Sequence, residues 1–259
     1  LLLQTIYHDM KKFLNLFLIL IVPFISSCVS QTAVIKRLSD VKKSVVKIET
    51  YVKPGICTKE EKCEEPKYSL HSSGSGSIIL YGGSLAILTA AHICNLGELE
   101  GLINKTGGDI LHKAVDRQNR THALIILKYN LKLDVCILQA KKTKDLPNFP
   151  LRLSVKPPEY GEQVYNLAAP AGIIDGEMVP VYQGRFFGNS ERNAFFGIPT
   201  IGGSSGSPIV NIKGELVGMI HSVHYRFHHI TLSVSYTDLW NFLKIEQSRE
   251  SIYQNLLLR

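Results

Sequence analysis

Short apolar runs of four to six residues recur through most of the chain after residue 40, and turn-forming residues separate them. This spacing is typical of the strands of an all-β barrel or sandwich. Paired glycines stand between several runs, as at Gly82-Gly83 and Gly202-Gly203, where the chain is expected to turn. The clearest runs cover residues 45–48, 78–81, 86–89, 123–128, 135–140, 163–167, 208–211, 216–220 and 230–234. We therefore predict an all-β fold.

Two segments depart from the strand pattern. Residues 147–161 hold four prolines, which cannot serve central strands, so this stretch is interpreted as a connection between two halves of the chain. Near the C-terminus, Ser235 and Asp238 have the spacing of a helix capping box, and apolar residues follow at helical intervals. We expect a closing helix over about residues 237–257.

The N-terminal segment is predicted to be an export signal. Two lysines follow Met10, a largely apolar stretch covers residues 13–25, and small residues close it. Thirteen positions are too few to span a bilayer comfortably as a helix. Ile25-Ser26-Ser27-Cys28 is similar to a bacterial lipobox, in which the chain is cut before the cysteine and that thiol is acylated. We predict a lipoprotein-type signal peptide over residues 1–27 and a lipidated Cys28, with ordinary secretion as the alternative.

The net charge changes little when this segment is removed. The formal charge of +7 falls to +6 with the loss of Lys11, Lys12 and Asp9. A basic surface is compatible with anionic lipid, cell envelope or acidic substrates. Basic residues do not cluster with interleaved aromatics, so a nucleic-acid partner is not indicated.

Three polar residues with complementary chemistry lie beside predicted strands. His92 follows the run at 86–89, Asp134 directly precedes the run at 135–140, and Ser205 lies in Gly203-Ser204-Ser205-Gly206-Ser207-Pro208. A serine hydroxyl is a poor nucleophile at neutral pH, so it needs a base and donors for the developing negative charge. The separations of 42 and 71 residues suit one element from each of two small barrels.

These motifs, in the order His92, Asp134, Ser205, resemble the trypsin-like (chymotrypsin-fold) serine protease superfamily and its bacterial branch over about residues 41–245. The resemblance implies two six-stranded Greek-key β-barrels with a C-terminal α-helix. The expected boundaries are a tether at 28–40 and a protease domain at 41–259, with barrel one at about 41–150 and barrel two at about 160–236.

The resemblance also implies a role for each residue. Ser205 would attack the scissile carbonyl, His92 would act as base and then acid, and Asp134 would hold the imidazole tautomer. The N–H groups of Gly203 and Ser205 would form the oxyanion hole. The expected partner is a polypeptide substrate, and neither a cofactor nor a metal is expected. Four histidines between residues 221 and 229 are assigned to an exposed hairpin, and the oligomeric state is left open.

The segment around Ser205 also contains a competing motif. Residues 202–206 fit the nucleophile elbow of α/β-hydrolases, with Ser204 as the nucleophile. That fold needs an acid and a histidine downstream of the serine, separated by strand and helix units. Only seventeen residues separate Ser204 from His221, so the elbow is excluded. Ser204 also replaces the aspartate that pairs with a freed N-terminal amine in zymogen-type members, so no such activation switch is expected.

The four remaining cysteines fall into two groups along the sequence. Cys57 and Cys63 bracket a charged loop, which favours a small disulfide-closed loop in an oxidising compartment. Cys94 lies two residues after His92 and Cys136 two after Asp134. A bridge between Cys94 and Cys136 is one alternative, and two separate buried thiols are the preferred interpretation.

The residues before the nucleophile bear on specificity. Pro199 stands where trypsin has the acid that selects basic side chains, so a basic preference is not supported. Thr200 and His221 resemble the threonine and histidine with which glutamyl endopeptidases bind a carboxylate. His221 lies one residue later than the histidine of that family. A shift of one residue in a strand points the side chain to the opposite face of the sheet unless a bulge intervenes.

The sequence thus predicts an exported serine endopeptidase, anchored by lipid in the periplasm or facing the envelope. The alternative is a catalytically silent envelope binding protein on the same fold.

Overall fold

The structure is a computed structural model that describes residues 31–55, 67–174, 178–191 and 193–244. The chain divides into two compact units, Leu1–Ser39 and Asp40–Arg259. In the first unit the described residues are helical, and this helix, α1, ends at residue 41. The predicted signal peptide, Cys28 and the Cys57–Cys63 loop lie outside the described residues. Among the helices described, none has the length and apolar character needed to cross a membrane.

The second unit contains two closed antiparallel barrels, each with six strands in the described part of the chain. Around barrel one its six strands, counted along the chain, lie in the order first, second, third, sixth, fifth and fourth, and the strands of barrel two repeat this order. In each, the third strand pairs with the sixth, which gives the Greek-key connection. The predicted two-barrel fold with a C-terminal helix is therefore confirmed.

The strands of barrel one are β1 Val45–Lys53, β2 Ser69–Tyr81, β3 Ser84–Thr89, β4 Asp109–Val115, β5 Thr121–Asn130 and β6 Val135–Ala140. Those of barrel two are β7 Gln163–Leu167, β8 Val181–Ser190, β9 Asn193–Phe196, β10 Pro208–Asn211, β11 Leu216–His224 and β12 Phe227–Val234. The helices of this unit are α2 Ala91–Cys94, α3 Glu98–Lys105 and α4 at residues 236–244, and short 3₁₀ turns cover Lys42–Ser44, Thr143–Asp145 and Pro170–Gly172.

Each barrel is filled by the inward-facing residues of its strands. Ile48, Ile87 and Leu138 are fully buried in barrel one, and in barrel two the rings of Phe186 and Phe196 lie 5.1 Å apart. Full burial of one such side chain is worth about 1.5–3 kcal/mol relative to exposure. These contacts make the barrels a rigid scaffold for the loops between them.

Three strands were not predicted from apolar runs: β4, β8 and β9. In β8 only Phe186 is buried, and the other side chains are exposed or half-buried. Ladder pairing with β7 on one side and β9 on the other holds this strand in place. A strand stabilised mainly by its neighbours leaves a weak apolar pattern in its own sequence.

The proline-rich connection is attached to both barrels rather than hanging between them. Leu151 forms a parallel bridge with Ile79 of β2, and Leu153 forms one with Leu216 of β11. The hydroxyl of Tyr236, in α4, donates to the carbonyl of Ser154. The connection is therefore held to both barrels where the chain passes from barrel one to barrel two.

A buried carboxylate closes the turn between β4 and β5. Asp116 is 1% exposed and accepts hydrogen bonds from the N–H groups of Gln118 and Arg120, from Arg120 Nε at 2.8 Å and from His122 Nε2 at 3.0 Å. Burial by itself raises the pKa of Asp116, but the hydrogen bonds from His122, Arg120 and Gln118 lower the pKa below its usual 3.8. The turn therefore depends on the ionised carboxylate.

We expect Asp116→Asn to lower the free energy of unfolding by about 3 kcal/mol near neutral pH, because His122 and Arg120 lose their charged acceptor. A lowered folded-state pKa gives stability that is complete above the unfolded value, near 3.8, and is lost as the pH falls through the folded value. Urea unfolding should therefore show the difference between wild type and variant narrowing below about pH 4.

The matched control is Asp145→Asn, which changes an exposed aspartate and should shift stability by less than about 0.5 kcal/mol. Two outcomes would show that the Asp116 carboxylate does not hold the turn. One is an equal loss of unfolding free energy in the two variants, and the other is a difference in unfolding free energy between wild type and Asp116→Asn that persists at low pH.

Candidate active site

His92 lies on a one-turn helix that directly follows a strand. β3 ends at Thr89 and α2 begins at Ala91, so the core of barrel one fixes where the turn starts. The imidazole Nδ1 lies 2.7 Å from Asp134 Oδ2, and the backbone N–H of His92 donates to Oδ1 at 2.9 Å. One carboxylate therefore holds both the ring and the backbone of His92.

Asp134 is held in an uncommon backbone conformation at the start of β6. Its φ is +53°, in the left-handed region that few non-glycine residues adopt. Such strain is found where surrounding contacts impose it, often at functional sites. Here the two hydrogen bonds to His92 require the carboxylate in this position.

The ionisation of Asp134 determines which nitrogen of His92 can act as a base. Burial raises the pKa of Asp134, but hydrogen bonds from the His92 side chain and backbone, with the charges of His92 and His221, lower the pKa below its usual value. An ionised carboxylate can only accept, so Nδ1 of His92 carries the proton that it donates. In the neutral ring, Nε2 is then the basic nitrogen.

The loop that carries Ser205 has a conformation that requires glycine. Gly203 has φ +91°, and a Cβ there would lie 2.6 Å from the backbone nitrogen of Ala171 and 2.9 Å from the carbonyl oxygen of Ala169. The N–H of Ala171 donates to the carbonyl of Gly202 at 2.8 Å. The loop is therefore packed against the chain after β7, and a side chain at 203 would separate them.

Ser75 of β2 fastens the nucleophile loop to barrel one. Its N–H donates to the carbonyl of Ser205 at 2.7 Å, and its hydroxyl donates to the carbonyl of Gly203 at 2.7 Å. The same hydroxyl accepts the N–H of Ala169 at 2.9 Å. The sequence analysis did not identify Ser75. The feature that could have indicated it is the run of serines and glycines in β2, where an inward-facing serine is unusual for a core strand.

A close approach at Gly74 brings the two halves of the site together. A Cβ on Gly74 would lie 2.8 Å from Cγ1 of Ile93 and 2.9 Å from the carbonyl oxygen of Ser205. Ile93 follows His92 directly, so the histidine turn and the serine loop meet at the same point of β2. The structure therefore brings the turn of His92 and the loop of Ser205 together at β2, with Asp134 bonded to His92.

Cys94 and Cys136 form a disulfide, and the preferred interpretation of two separate thiols was wrong. β3 and β6 pair Thr89 with Cys136, and the turn of α2 brings Cys94 back over that position. Their Cα atoms are 6.6 Å apart, within the range for a disulfide. The bond therefore links the helix of His92 to the strand that follows Asp134.

The proposed substrate-pocket residues separate into two places. Pro199 and Thr200 line a cavity of about 250 Å³ together with Tyr182, Ile201, His228 and His229. Among these described lining residues there is no carboxylate to pair with a basic side chain. His228 and His229, assigned from sequence to the exposed hairpin, are exposed and also border this cavity.

His221 is not among the residues that line this cavity, and its imidazole interacts electrostatically with the Asp134 carboxylate. The pairing of β11 with β12 shifts register between Ile220 and Ser222, so His221 is the extra residue of a bulge. Its Nε2 lies 3.2 Å from Oδ1 of Asn193. Burial lowers the pKa of His221, against the attraction of Asp134, which raises it.

Two Greek-key barrels with a His–Asp pair and a serine loop at their cleft define the architecture of a chymotrypsin-like protease. Residues 74–219 match the trypsin-like peptidase domain family, more than half of the chain, so the protein belongs to that family and is a serine endopeptidase. Its substrates are accordingly polypeptides.

Solved structures share the fold at low sequence identity. The Rv3671c protease from M. tuberculosis in its active form is 17% identical with a TM-score of 0.58, over 81% of this chain and 83% of that one. The serine endoprotease from Yersinia pestis is 16% identical with a TM-score of 0.57, over 81% and 66%. Among curated proteins, no sequence matches the chain.

Removing the disulfide should destabilise the protein without unfolding the barrels. The bond closes a loop of 42 residues, so the double variant Cys94→Ala/Cys136→Ala is expected to lose about 4 kcal/mol of unfolding free energy. Urea unfolding measures this, and peptide mapping by mass spectrometry under non-reducing conditions should recover Cys94 and Cys136 in one linked fragment. Recovery of two alkylated thiols from unreduced protein would contradict the disulfide.

Proposed function

We propose that the protein hydrolyses peptide bonds through a His92–Asp134–Ser205 triad and an acyl-enzyme intermediate. The observation that supports this most is the 2.7 Å contact between His92 Nδ1 and Asp134 Oδ2. It orients Nε2 of His92 as the basic nitrogen, and the loop with Ser205 meets the turn of His92 at Gly74.

In the proposed reaction the Ser205 hydroxyl attacks the scissile carbonyl while His92 Nε2 takes its proton. The tetrahedral intermediate collapses when His92 returns that proton to the leaving amine, which leaves an ester on Ser205. A water molecule then attacks the ester, with His92 again as base, and releases the acid. Asp134 stays ionised throughout and stabilises the imidazolium.

The oxyanion would be bound by the N–H groups of Gly203 and Ser205. The flanking N–H groups are already used: Ser204 donates to the carbonyl of Ile201 at 3.1 Å, and Gly206 donates to that of Ile220 at 2.6 Å. These bonds, with those of Ser75, fix the peptide planes of the loop before substrate arrives. A preorganised donor of this kind contributes about 3 kcal/mol to transition-state stabilisation.

For the substrate pocket we propose Pro199, Thr200 and His221. The cavity beside Pro199 and Thr200 is also lined by Tyr182, His228 and His229, whose hydroxyl and imidazole groups suit a carboxylate better than a cation. The Thr200 hydroxyl itself already donates to Thr231 Oγ1. The bulge changes the face to which His221 points, but His221 does not line this cavity, so its place in the pocket rests on the resemblance of the sequence alone.

The competing function is a catalytically silent binding protein on the same fold. Labelling with an active-site-directed fluorophosphonate separates the two, since the reagent phosphonylates only an activated serine. We expect wild type to be labelled at Ser205, and we expect Ser205→Ala to abolish labelling while the protein stays folded.

Ser204→Ala is the matched control. In the described part of the chain the Ser204 hydroxyl is buried with no hydrogen-bond partner, so its removal should preserve labelling. Folded wild type that fails to react would support the silent binding protein, and loss of labelling in Ser204→Ala alone would overturn the assignment of Ser205.

We further propose that the enzyme is exported and held at the cell envelope by lipid on Cys28. Mass spectrometry of the mature protein from a bacterial host should show an N-terminal Cys28 that carries acyl chains. The Cys28→Ser variant should be missing from the membrane fraction, because the acylated thiol is lost. A mature N-terminus at another residue, or an unmodified thiol at Cys28, would support ordinary secretion instead.

A further inference from the structure

A buried pair of polar side chains lies behind the turn that carries His92. Thr50 of β1 and His112 of β4 face each other in the ladder of barrel one, and they are 0% and 8% exposed. The triad does not include either residue. Buried polar groups cost stability unless they are hydrogen-bonded, so their partners indicate what they do.

The Thr50 hydroxyl bonds to the turn of His92. Thr50 Oγ1 donates to the carbonyl of Ile93 at 2.7 Å, and the same oxygen lies 2.9 Å from His112 Nδ1. Ile93 is the residue after His92, and its carbonyl lies at the end of a helix of only four residues. The last carbonyl groups of a helix have no N–H partner within the helix, so the Ile93 carbonyl needs a donor from elsewhere in the protein.

The shared oxygen determines the tautomer of His112. A hydroxyl has one proton, and a carbonyl can only accept, so the Thr50 proton must point to Ile93. Nδ1 of His112 must then donate to Thr50. Burial lowers the pKa of His112, so the ring is neutral near pH 7 and its single N–H proton lies on Nδ1.

The opposite tautomer would compete with the turn. A lone pair on Nδ1 would attract the Thr50 proton, and the Ile93 carbonyl would lose its donor in a buried position. With the proton on Nδ1, the three groups form a directed chain in which each bond polarises the next. The chain runs from His112 through Thr50 to Ile93.

We propose that His112 is a positioning residue for the catalytic base: by donating Nδ1–H to Thr50, it keeps the Thr50 hydroxyl on the Ile93 carbonyl and so holds His92 in register with Asp134. This inference rests on the proposed function for its catalytic consequence. It assigns the buried pair a task in the site rather than in the core alone.

Three successive residues of the turn are fastened in different ways. His92 bonds to Asp134, Ile93 to Thr50, and Cys94 to Cys136. The attachment of His92 depends on the proton of its own Nδ1, and the middle attachment depends on the proton of His112. Loss of that attachment should therefore loosen the orientation of the imidazole while the disulfide keeps the turn in place.

The tautomer is measured first, in wild type. Nitrogen-15 chemical shifts of the His112 ring should show a protonated Nδ1 and an unprotonated Nε2 near neutral pH. The reverse pattern overturns the proposal, whatever the activity of the protein.

The second experiment uses two matched pairs of variants. Thr50→Val removes the hydroxyl and Thr50→Ser keeps it; His112→Leu removes the ring donor, and His112→Asn retains an N–H near the position of Nδ1. We expect the rate of fluorophosphonate labelling to fall about 10- to 100-fold in Thr50→Val and His112→Leu. Thr50→Ser and His112→Asn should recover most of that rate.

A spectroscopic signature separates positioning from loss of stability. The far-downfield proton resonance of His92 Nδ1–H bonded to Asp134 should be present in wild type and the two conservative variants, and shifted or broadened in the other two. An unchanged resonance and labelling rate in folded Thr50→Val would overturn the proposal. If wild type is not labelled at all, the proposed function fails, and the resonance and ring shifts still decide the positioning role.

Discussion

The proposed active site depends on how one loop of barrel two docks on barrel one, and Ser75 of β2 makes that contact. Backbone groups buried between packed elements must find partners, because an unpaired one costs about 1–3 kcal/mol. Ser75 supplies its N–H to Ser205 and its hydroxyl to both Gly203 and Ala169. One residue of β2 therefore bonds to the loop at Gly203 and Ser205 and to the chain after β7 at Ala169.

The helix that carries His92 is likewise held by contacts with its neighbours, and these include a charged hydrogen bond and a covalent bond. α2 is too short to be stable by itself, since a single turn gains few internal hydrogen bonds. A carboxylate, a threonine hydroxyl and a disulfide hold its consecutive residues to β6 and β1. An imidazole fixed in this way loses little freedom when a substrate binds, which is how a preorganised site contributes to rate.

Two of the four described non-glycine residues with positive φ lie where these attachments act. They are Asp134 at +53° and Ala171 at +51°. Each such residue costs on the order of 1–3 kcal/mol and persists only when its surroundings impose it. The hydrogen bonds to His92 do so for Asp134, and the contact with Gly202 and Gly203 does so for Ala171.

The fold class and the three residues most suited to the chemistry could be predicted from the order of residues along the chain. Apolar runs reveal strands that are buried by their own side chains, and the order of His92, Asp134 and Ser205 is a property of the chain. β8 could not be found in this way, because ladder bonds to its neighbours hold it rather than apolar burial.

How the chemical groups meet could not be predicted in this way, because it depends on which strands pair in the folded barrels. The bridge between Cys94 and Cys136 depends on the register of β3 with β6, and the bulge at His221 on that of β11 with β12. The docking role of Ser75 and the pairing of Thr50 with His112 likewise join residues far apart in the chain. Such contacts follow from barrel closure, which brings strands together by their place in the ladder rather than by their distance in sequence.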